Sequence, residues 1–266
     1  NLYTESLLAL DADTGEILWH FQFTPNDPYD YDEIGEAQII DVMMDGQSRR
    51  IVSRVARNGF VYAMDAADGT FLHAGQYVDV VNWTDGIDPK TGRPMSYNPD
   101  TQVQLYNPGT AGRRDNRLAV FCPTLGGGKN WQPAAYSPQT GLQYTIAAEG
   151  CSAYRTVEGG VDHWADKGNK LGSLDNRDPA GWRGREGVPG DTPKPVMQTT
   201  GSITGIDPAT GQNSVKISLP DRPTGVVATA GGLVFSADGR GEIMAFDAET
   251  LAPLWSKNVG TGIAAP

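Results

Sequence analysis

An all-β propeller is the fold this sequence predicts, and three observations predict it. Gly or Pro interrupts almost every window long enough to display a helical apolar period, so helix signals are poor. Short apolar runs of strand length recur instead, at Ser6 to Leu10, Ile51 to Val55, Phe60 to Met64, Gly232 to Phe235 and Glu242 to Phe246. One hairpin signature also repeats: Ala9-Leu10-Asp11-Ala12-Asp13-Thr14-Gly15-Glu16-Ile17-Leu18-Trp19 is echoed by Ala63 to His73, Tyr136 to Thr145, Gly205 to Val215 and Ala245 to Trp255.

Each copy holds an apolar strand, an Asp or Ser able to hydrogen-bond its own following backbone, a turn usually ending in Gly, and a second strand. The shortest Asp-to-Asp intervals, Asp11 to Asp65 and Asp207 to Asp247, are 54 and 40 residues. That fits a repeat of roughly 40 residues or more carrying insertions, as in stacked four-stranded propeller blades. A β-sandwich, the alternative, is not expected to repeat one hairpin signature.

The copies differ in detail. Trp19 and Trp255 close the first and last, whereas His73, Thr145 and Val215 stand at that place in the others, and the turn Gly is replaced by Leu251 in the last. Two stretches, about 75–112 and 152–199, lack the signature and are rich in Gly, Pro, Asp and Asn, which predicts inserted surface loops. Asp88-Pro89-Lys90-Thr91-Gly92 copies the turn without strong flanking strands and reads as a loop turn.

The chain has 266 residues, 39% hydrophobic, with 21 basic and 32 acidic residues and a net charge of −11. No basic run exceeds Arg113-Arg114, which removes the electrostatic footprint of a nucleic-acid binder. No apolar stretch is long enough for a transmembrane segment, and no basic segment followed by an apolar core stands at the N-terminus. The acidic balance suits docking to a basic protein partner. The two cysteines, Cys122 and Cys151, are too far apart for a metal knuckle or redox pair, and their number fits two buried thiols as well as one disulfide.

Three clusters can carry chemistry. Thr24-Pro25-Asn26-Asp27-Pro28-Tyr29-Asp30-Tyr31-Asp32-Glu33 offers four acids within seven residues, able to face a hard cation or to supply a general base; a solvent-exposed turn rich in Asp is the plainer reading. Arg54-Val55-Ala56-Arg57-Asn58-Gly59 leads into a strand, its arginines readable as surface charge or as donors to a carboxylate or quinone oxygen. Gly126-Gly127-Gly128-Lys129 is followed by Asn130 where a phosphate loop needs Ser or Thr, which excludes nucleotide binding. His20, His73 and His163 have no paired spacing for zinc, and no serine-nucleophile motif occurs.

Taken in order, Ser6 to Trp19, Thr24-Pro25, Asp27, Asp30-Tyr31, Arg57-Asn58-Gly59, Cys122-Pro123, Gly127 to Pro133, Ala228 to Phe235 and Gly260-Thr261-Gly262-Ile263 closely resemble the pyrroloquinoline quinone (PQQ)-dependent alcohol dehydrogenases of the methanol and ethanol dehydrogenase type. The resemblance implies an eight-bladed propeller of tryptophan-docking repeats. Residues 1–266 are then its second half, and the missing half is supplied by the same or a partner chain. It implies a periplasmic enzyme that oxidises an alcohol with PQQ and a Lewis-acid metal and passes electrons to a c-type cytochrome.

Carried over by position, Asp30 is the catalytic carboxylate and a metal ligand, while Arg57, Asn130 and the adjacent Trp131 bind the cofactor. Asp32 matches the extra metal ligand of lanthanide-dependent members, favouring a lanthanide over calcium, and two carboxylates two residues apart converge only where the backbone turns locally. Cys122 and Cys151 fall where the family has a disulfide. A tryptophan over the cofactor in the methanol enzymes is missing near Pro223-Thr224-Gly225, and the hydrophilic stretch from Ala153 to Pro195 is expected to shape access for a bulkier alcohol. The competing reading is a non-catalytic propeller of similar repeats acting as a periplasmic or outer-membrane assembly scaffold, which has no reason to keep Asp30, Arg57 and Asn130.

Overall fold

The computed structural model describes residues 3–101, 103–111, 118–156, 172–174 and 199–265, and among them every regular element is a β-strand. Strands β1 (Ser6–Leu10) and β2 (Ile17–Gln22) form a hairpin. Next, β3 (Gln38–Met44), β4 (Gln47–Val55), β5 (Phe60–Asp65) and β6 (Phe71–Gln76) make a four-stranded antiparallel sheet in chain order. After the short pair β7 (Tyr97–Asn98) and β8 (Val103–Gln104) come β9 (Leu118–Phe121), β10 (Ala135–Ser137), β11 (Leu142–Glu149), β12 (Ser152–Thr156), β13 (Gly172–Leu174), β14 (Thr200–Ile206) and β15 (Asn213–Leu219). A second four-stranded sheet runs β10-β11-β14-β15, while β12 leaves it to pair with β9 and β13. A third runs β16 (Pro223–Ala228), β17 (Leu233–Asp238), β18 (Glu242–Asp247) and β19 (Pro253–Asn258).

These sheets are propeller blades stacked face to face. Ile40, Val42, Ile51 and Ala63 of the first four-stranded blade pack on Tyr136 and Ala209 of the second. Tyr144, Ile146 and Ile203 of the second pack on Val226, Val234 and Phe246 of the third. All five repeated signatures are hairpins: β1–β2, β5–β6, β10–β11, β14–β15 and β18–β19.

The repeated Asp explains the turn. In the first copy Asp11 Oδ1 accepts from the backbone N–H of Asp13 and Thr14, and Asp65, Asp207 and Asp247 do the same with their followers. Gly15, Gly69, Gly141 and Gly211 then take left-handed φ between 70° and 74°. Leu251 takes φ 54° at the same place without a glycine. The left-handed backbone costs about 1–2 kcal/mol, and full burial of a leucine returns about 1.5–3 kcal/mol, so with Leu251 only 1% exposed the apolar core offsets the strain.

The closing residues of the first two signatures dock on the turn of a following blade. The Trp19 ring lies against Gly69, where an added Cβ would come within 2.6 Å of it. His73 lies against Gly211 in the same way, with its Nε2 3.1 Å from the Pro208 carbonyl oxygen. Its Nδ1 is buried without a partner among the described residues, and burial lowers its pKa, with the Pro208 hydrogen bond and Asp207 opposing. Because the folded pKa lies below the ordinary 6.5, the folded protein binds the proton less readily than the unfolded chain. The stability it contributes is full above that value and lost as pH falls toward the folded pKa. Denaturation midpoints measured from about pH 7 to pH 5 are expected to fall less steeply in His73→Gln than in the parent protein.

Two expectations for the inserted stretches need correction. The stretch 75–112 is not merely a surface loop: β6 runs into it to Gln76, it contains β7 and β8, and Tyr77 and Trp83 are fully buried. The turn at Asp88 to Gly92 is held by the predicted Asx bonds, flanked only by an isolated bridge between Ile87 and Pro94. The stretch 152–199 opens with a paired strand, β12, which the loss of the repeat had concealed; apart from 172–174, its residues from 157 to 198 lie outside those described.

Candidate functional site

Three segments meet above the first four-stranded blade: the connection from β2 to β3, the turn between β4 and β5, and the loop from β9 to β10. In the first, the Asp27 carboxylate accepts from the backbone N–H of Tyr29 at 2.9 Å and of Tyr31 at 2.6 Å. The two tyrosine rings are fully buried, with the Tyr31 hydroxyl donating to the Pro123 carbonyl at 2.8 Å and the Tyr29 hydroxyl 2.8 Å from Thr110 Oγ1. Pinning the tyrosines inward leaves Asp30 and Asp32 facing out. Asp30 has φ 64°, a left-handed backbone conformation. Burial raises the Asp30 pKa first, then the charge of Asp32, with Arg57 opposing and a hydrogen bond to Asp32 adding to the rise.

Glu33 and Asp27 do not join the open acids. The Glu33 side chain is 2% exposed and accepts from Arg54 at 3.0 Å and from the Arg57 backbone N–H at 3.0 Å. Arg54, 5% exposed, also donates to the Gly35 carbonyl, so it is no surface charge. Of four acids that the sequence gathers here, two build the scaffold and two face outward, because each inner carboxylate finds backbone donors.

Arg57 is the hub. Its Nη2 donates to the Leu125 carbonyl at 3.0 Å, its Nη1 lies 3.5 Å from both the carbonyl and the carboxylate of Asp32, and its own carbonyl accepts from Gly128 N–H at 2.9 Å. The glycine run has a packing reason: a Cβ on Gly127 would lie 2.6 Å from Arg57, and one on Gly128 2.5 Å from the Tyr77 hydroxyl. Arg57 Nε is buried with no partner among the described residues.

The third segment starts at a disulfide. Cys122 and Cys151 are bonded, and Ser152 Oγ accepts from Leu125 N–H at 2.9 Å, which fixes the loop's entry. The Asn130 side chain donates to the Gly126 carbonyl at 3.1 Å and accepts from Trp131 N–H at 2.9 Å, closing the loop on itself. Trp131 is 50% exposed. Lys129 is buried, its Nζ 3.2 Å from Glu36, whose other oxygen accepts from Ala134 N–H at 2.8 Å.

Negative charge exceeds what these cations balance. Burial, then Asp27, Asp32 and Glu33, push the Glu5 carboxyl up to about 8, with Arg57 opposing, and its Oε2 is buried without a partner among the described residues. Burial pushes Asp27 up to about 6 against its two backbone bonds, with Asp30 and Asp32 adding to the rise. A hard cation beside Asp30 and Asp32 would relieve this crowding, and two carboxylates are the right donor type. Among the described residues no group of three His, Cys, Asp or Glu is placed to hold a metal ion. For an oxygen-rich quinone the unpartnered Arg57 Nε is a matching donor.

Asp30, Asp32 and Arg57 are thus brought together, and the Asn130 loop is joined to them through Arg57 and Glu36. Sequence reasoning did not find Glu5, Glu36 or the burial of Lys129. Glu36 follows the acidic run and Lys129 the glycine run, which is their signal in the sequence, whereas Glu5 lies far from both.

A family model described as glucose/ethanol/alcohol dehydrogenase, beta-propeller domain, matches residues 1–83, and one described as outer membrane protein assembly factor BamB matches residues 199–266. Lupanine 17-hydroxylase [cytochrome c] from a Pseudomonas species is 35% identical over 99% of this chain and 34% of its own length. Quinoprotein ethanol dehydrogenase from Pseudomonas putida is 32% identical over 100% of this chain and 40% of its own length. A solved europium-containing methanol dehydrogenase superposes with a TM-score of 0.76 at 27% identity, over 99% of this chain and 41% of that one. The chain spans between a third and two fifths of the length of these curated relatives.

Proposed function

The chain is a relative, along its whole length, of the PQQ-dependent alcohol dehydrogenases, and on that premise we propose that the protein carrying it oxidises an alcohol to an aldehyde or ketone with PQQ and a hard metal ion. The observation that supports this most is the Asp32 carboxylate 3.5 Å from a buried Arg57 whose Nε has no partner among the described residues, with the Asp30 carboxyl under the charge of both. PQQ, when bound, would supply the acceptor for the hydride, and with it the two electrons, that leaves the alcohol carbon. Asp30 receives the hydroxyl proton, which a carboxylate held by a rigid backbone can do without rearrangement. Asp32 and Asp30 bind the cation, Arg57 donates toward the quinone oxygens, and Asn130 and Trp131 bind and flank the cofactor.

A lanthanide is the metal this reading favours over calcium, because Asp32 adds a second anionic oxygen for a trivalent ion. Two relatives, lupanine 17-hydroxylase [cytochrome c] and 1-butanol dehydrogenase (cytochrome c), are named with that acceptor, and an acidic chain of net charge −11 suits a basic c-type cytochrome as electron acceptor, with the periplasm as the compartment. The assembly-scaffold alternative rests on the match over residues 199–266, a stretch holding none of these residues.

Reconstitution of the full-length protein tests the proposal. Addition of PQQ with La³⁺ is expected to give PQQ absorbance in the purified protein and alcohol-dependent reduction of a c-type cytochrome. Activity with Ca²⁺ alone would overturn the choice of metal, and failure to retain PQQ with either ion would overturn the enzyme reading in favour of the scaffold.

A further inference from the structure

We propose that Glu36 is a positioning residue that sets Asn130 and Trp131 in register with Asp30 and Asp32. The proposal rests on the reading of Asn130 and Trp131 as cofactor groups. Asn130 spends its side-chain amide and carbonyl inside its own loop, on Gly126 and Trp131, so it does not itself register the loop against the acidic segment. Glu36 does so from both sides of the pair: one carboxylate oxygen takes Lys129 Nζ at 3.2 Å, immediately before Asn130, and the other takes Ala134 N–H at 2.8 Å. The intervening Gly35 brings the two backbones into contact, because an added Cβ would lie 2.5 Å from Lys129 Nζ and 3.2 Å from the Asn130 carbonyl oxygen.

The pair is asymmetric in a way that suits this role. The Lys129 side chain is enclosed while Glu36 is exposed, so Lys129 has no solvent alternative and the loop follows wherever the carboxylate stands. Three residues separate Glu36 from Asp32, and Arg54 donates to the Gly35 carbonyl between them, making that link short and anchored.

The test uses the full-length protein carrying 5-fluorotryptophan, with the Trp131 ¹⁹F resonance assigned by its loss in Trp131→Phe. Glu36→Ala is expected to shift or broaden that resonance without PQQ present and to weaken PQQ binding by about tenfold or more. Glu36→Gln, which keeps an oxygen for Ala134 N–H, is expected to lie between it and the parent in both measurements. An unmoved Trp131 resonance in either folded variant, with only the melting point lowered, would overturn the positioning role. A moved resonance with unchanged PQQ affinity would overturn it too, provided Asn130→Ala does weaken PQQ binding. Should Asn130→Ala leave PQQ binding intact, the cofactor reading beneath the proposal is what fails.

Discussion

Replacing Asp30 with Asn is expected to lower kcat for alcohol oxidation by about 10²–10⁴-fold, the range lost with a general base, in the PQQ- and metal-loaded full-length protein. The fold should survive, for two reasons. Asp30 sits at φ 64°, and Asn occupies left-handed backbone as readily as Asp does. The segment is held by Asp27 on the backbone of Tyr29 and Tyr31, a clasp the substitution leaves alone. The amide oxygen can still face a cation but cannot take a proton, so the loss should fall on kcat at saturating alcohol and metal. Asp32→Asn is the contrasting variant: it removes an anionic oxygen without removing the base, and is expected to weaken La³⁺ binding more than Ca²⁺ binding. Steady-state kinetics with a metal titration on each variant separate the two. An Asp30→Asn enzyme retaining a third or more of kcat would remove Asp30 from the catalytic role.

The parts of this molecule legible in the sequence are those fixed by local chemistry. An Asp that bonds the two or three residues after it, followed by Gly in a left-handed turn, needs no knowledge of the rest of the chain, and every such signature is a hairpin. Illegible features depend on distant partners. Whether Glu33 faces a cation or Arg54 is decided by residues 21 positions away, and Lys129 is enclosed by a carboxylate 93 positions earlier. The departure of β12 from its blade to join β9 is equally non-local. Composition made the stretch 75–112 resemble a surface loop because its polar turns outnumber the two buried aromatics, Tyr77 and Trp83, that seat it.

Removing the Glu33 carboxylate is expected to cause a large loss of stability, about 3–5 kcal/mol for Glu33→Ala, the range for breaking a buried ion pair from one side. The reason is what stays behind: Arg54, enclosed with its partner, keeps its charge and loses the carboxylate that balanced it. Removing both charges should therefore cost less than the sum of the single changes. Glu33→Gln combined with Arg54→Met is expected to recover about 2 kcal/mol or more relative to additivity, measured by urea denaturation as a double-mutant cycle. Additive losses would mean the pair is not coupled. The same cycle isolates the second duty of Glu33, its bond to the Arg57 backbone. Gln still offers an oxygen to that N–H, whereas Leu does not. Glu33→Leu with Arg54→Met should fold but leave Arg57 less firmly placed, so that PQQ affinity falls relative to the Gln and Met pair at comparable stability. Equal affinities in the two double variants would show that Leu125, Gly128 and Asp32 suffice to hold the guanidinium.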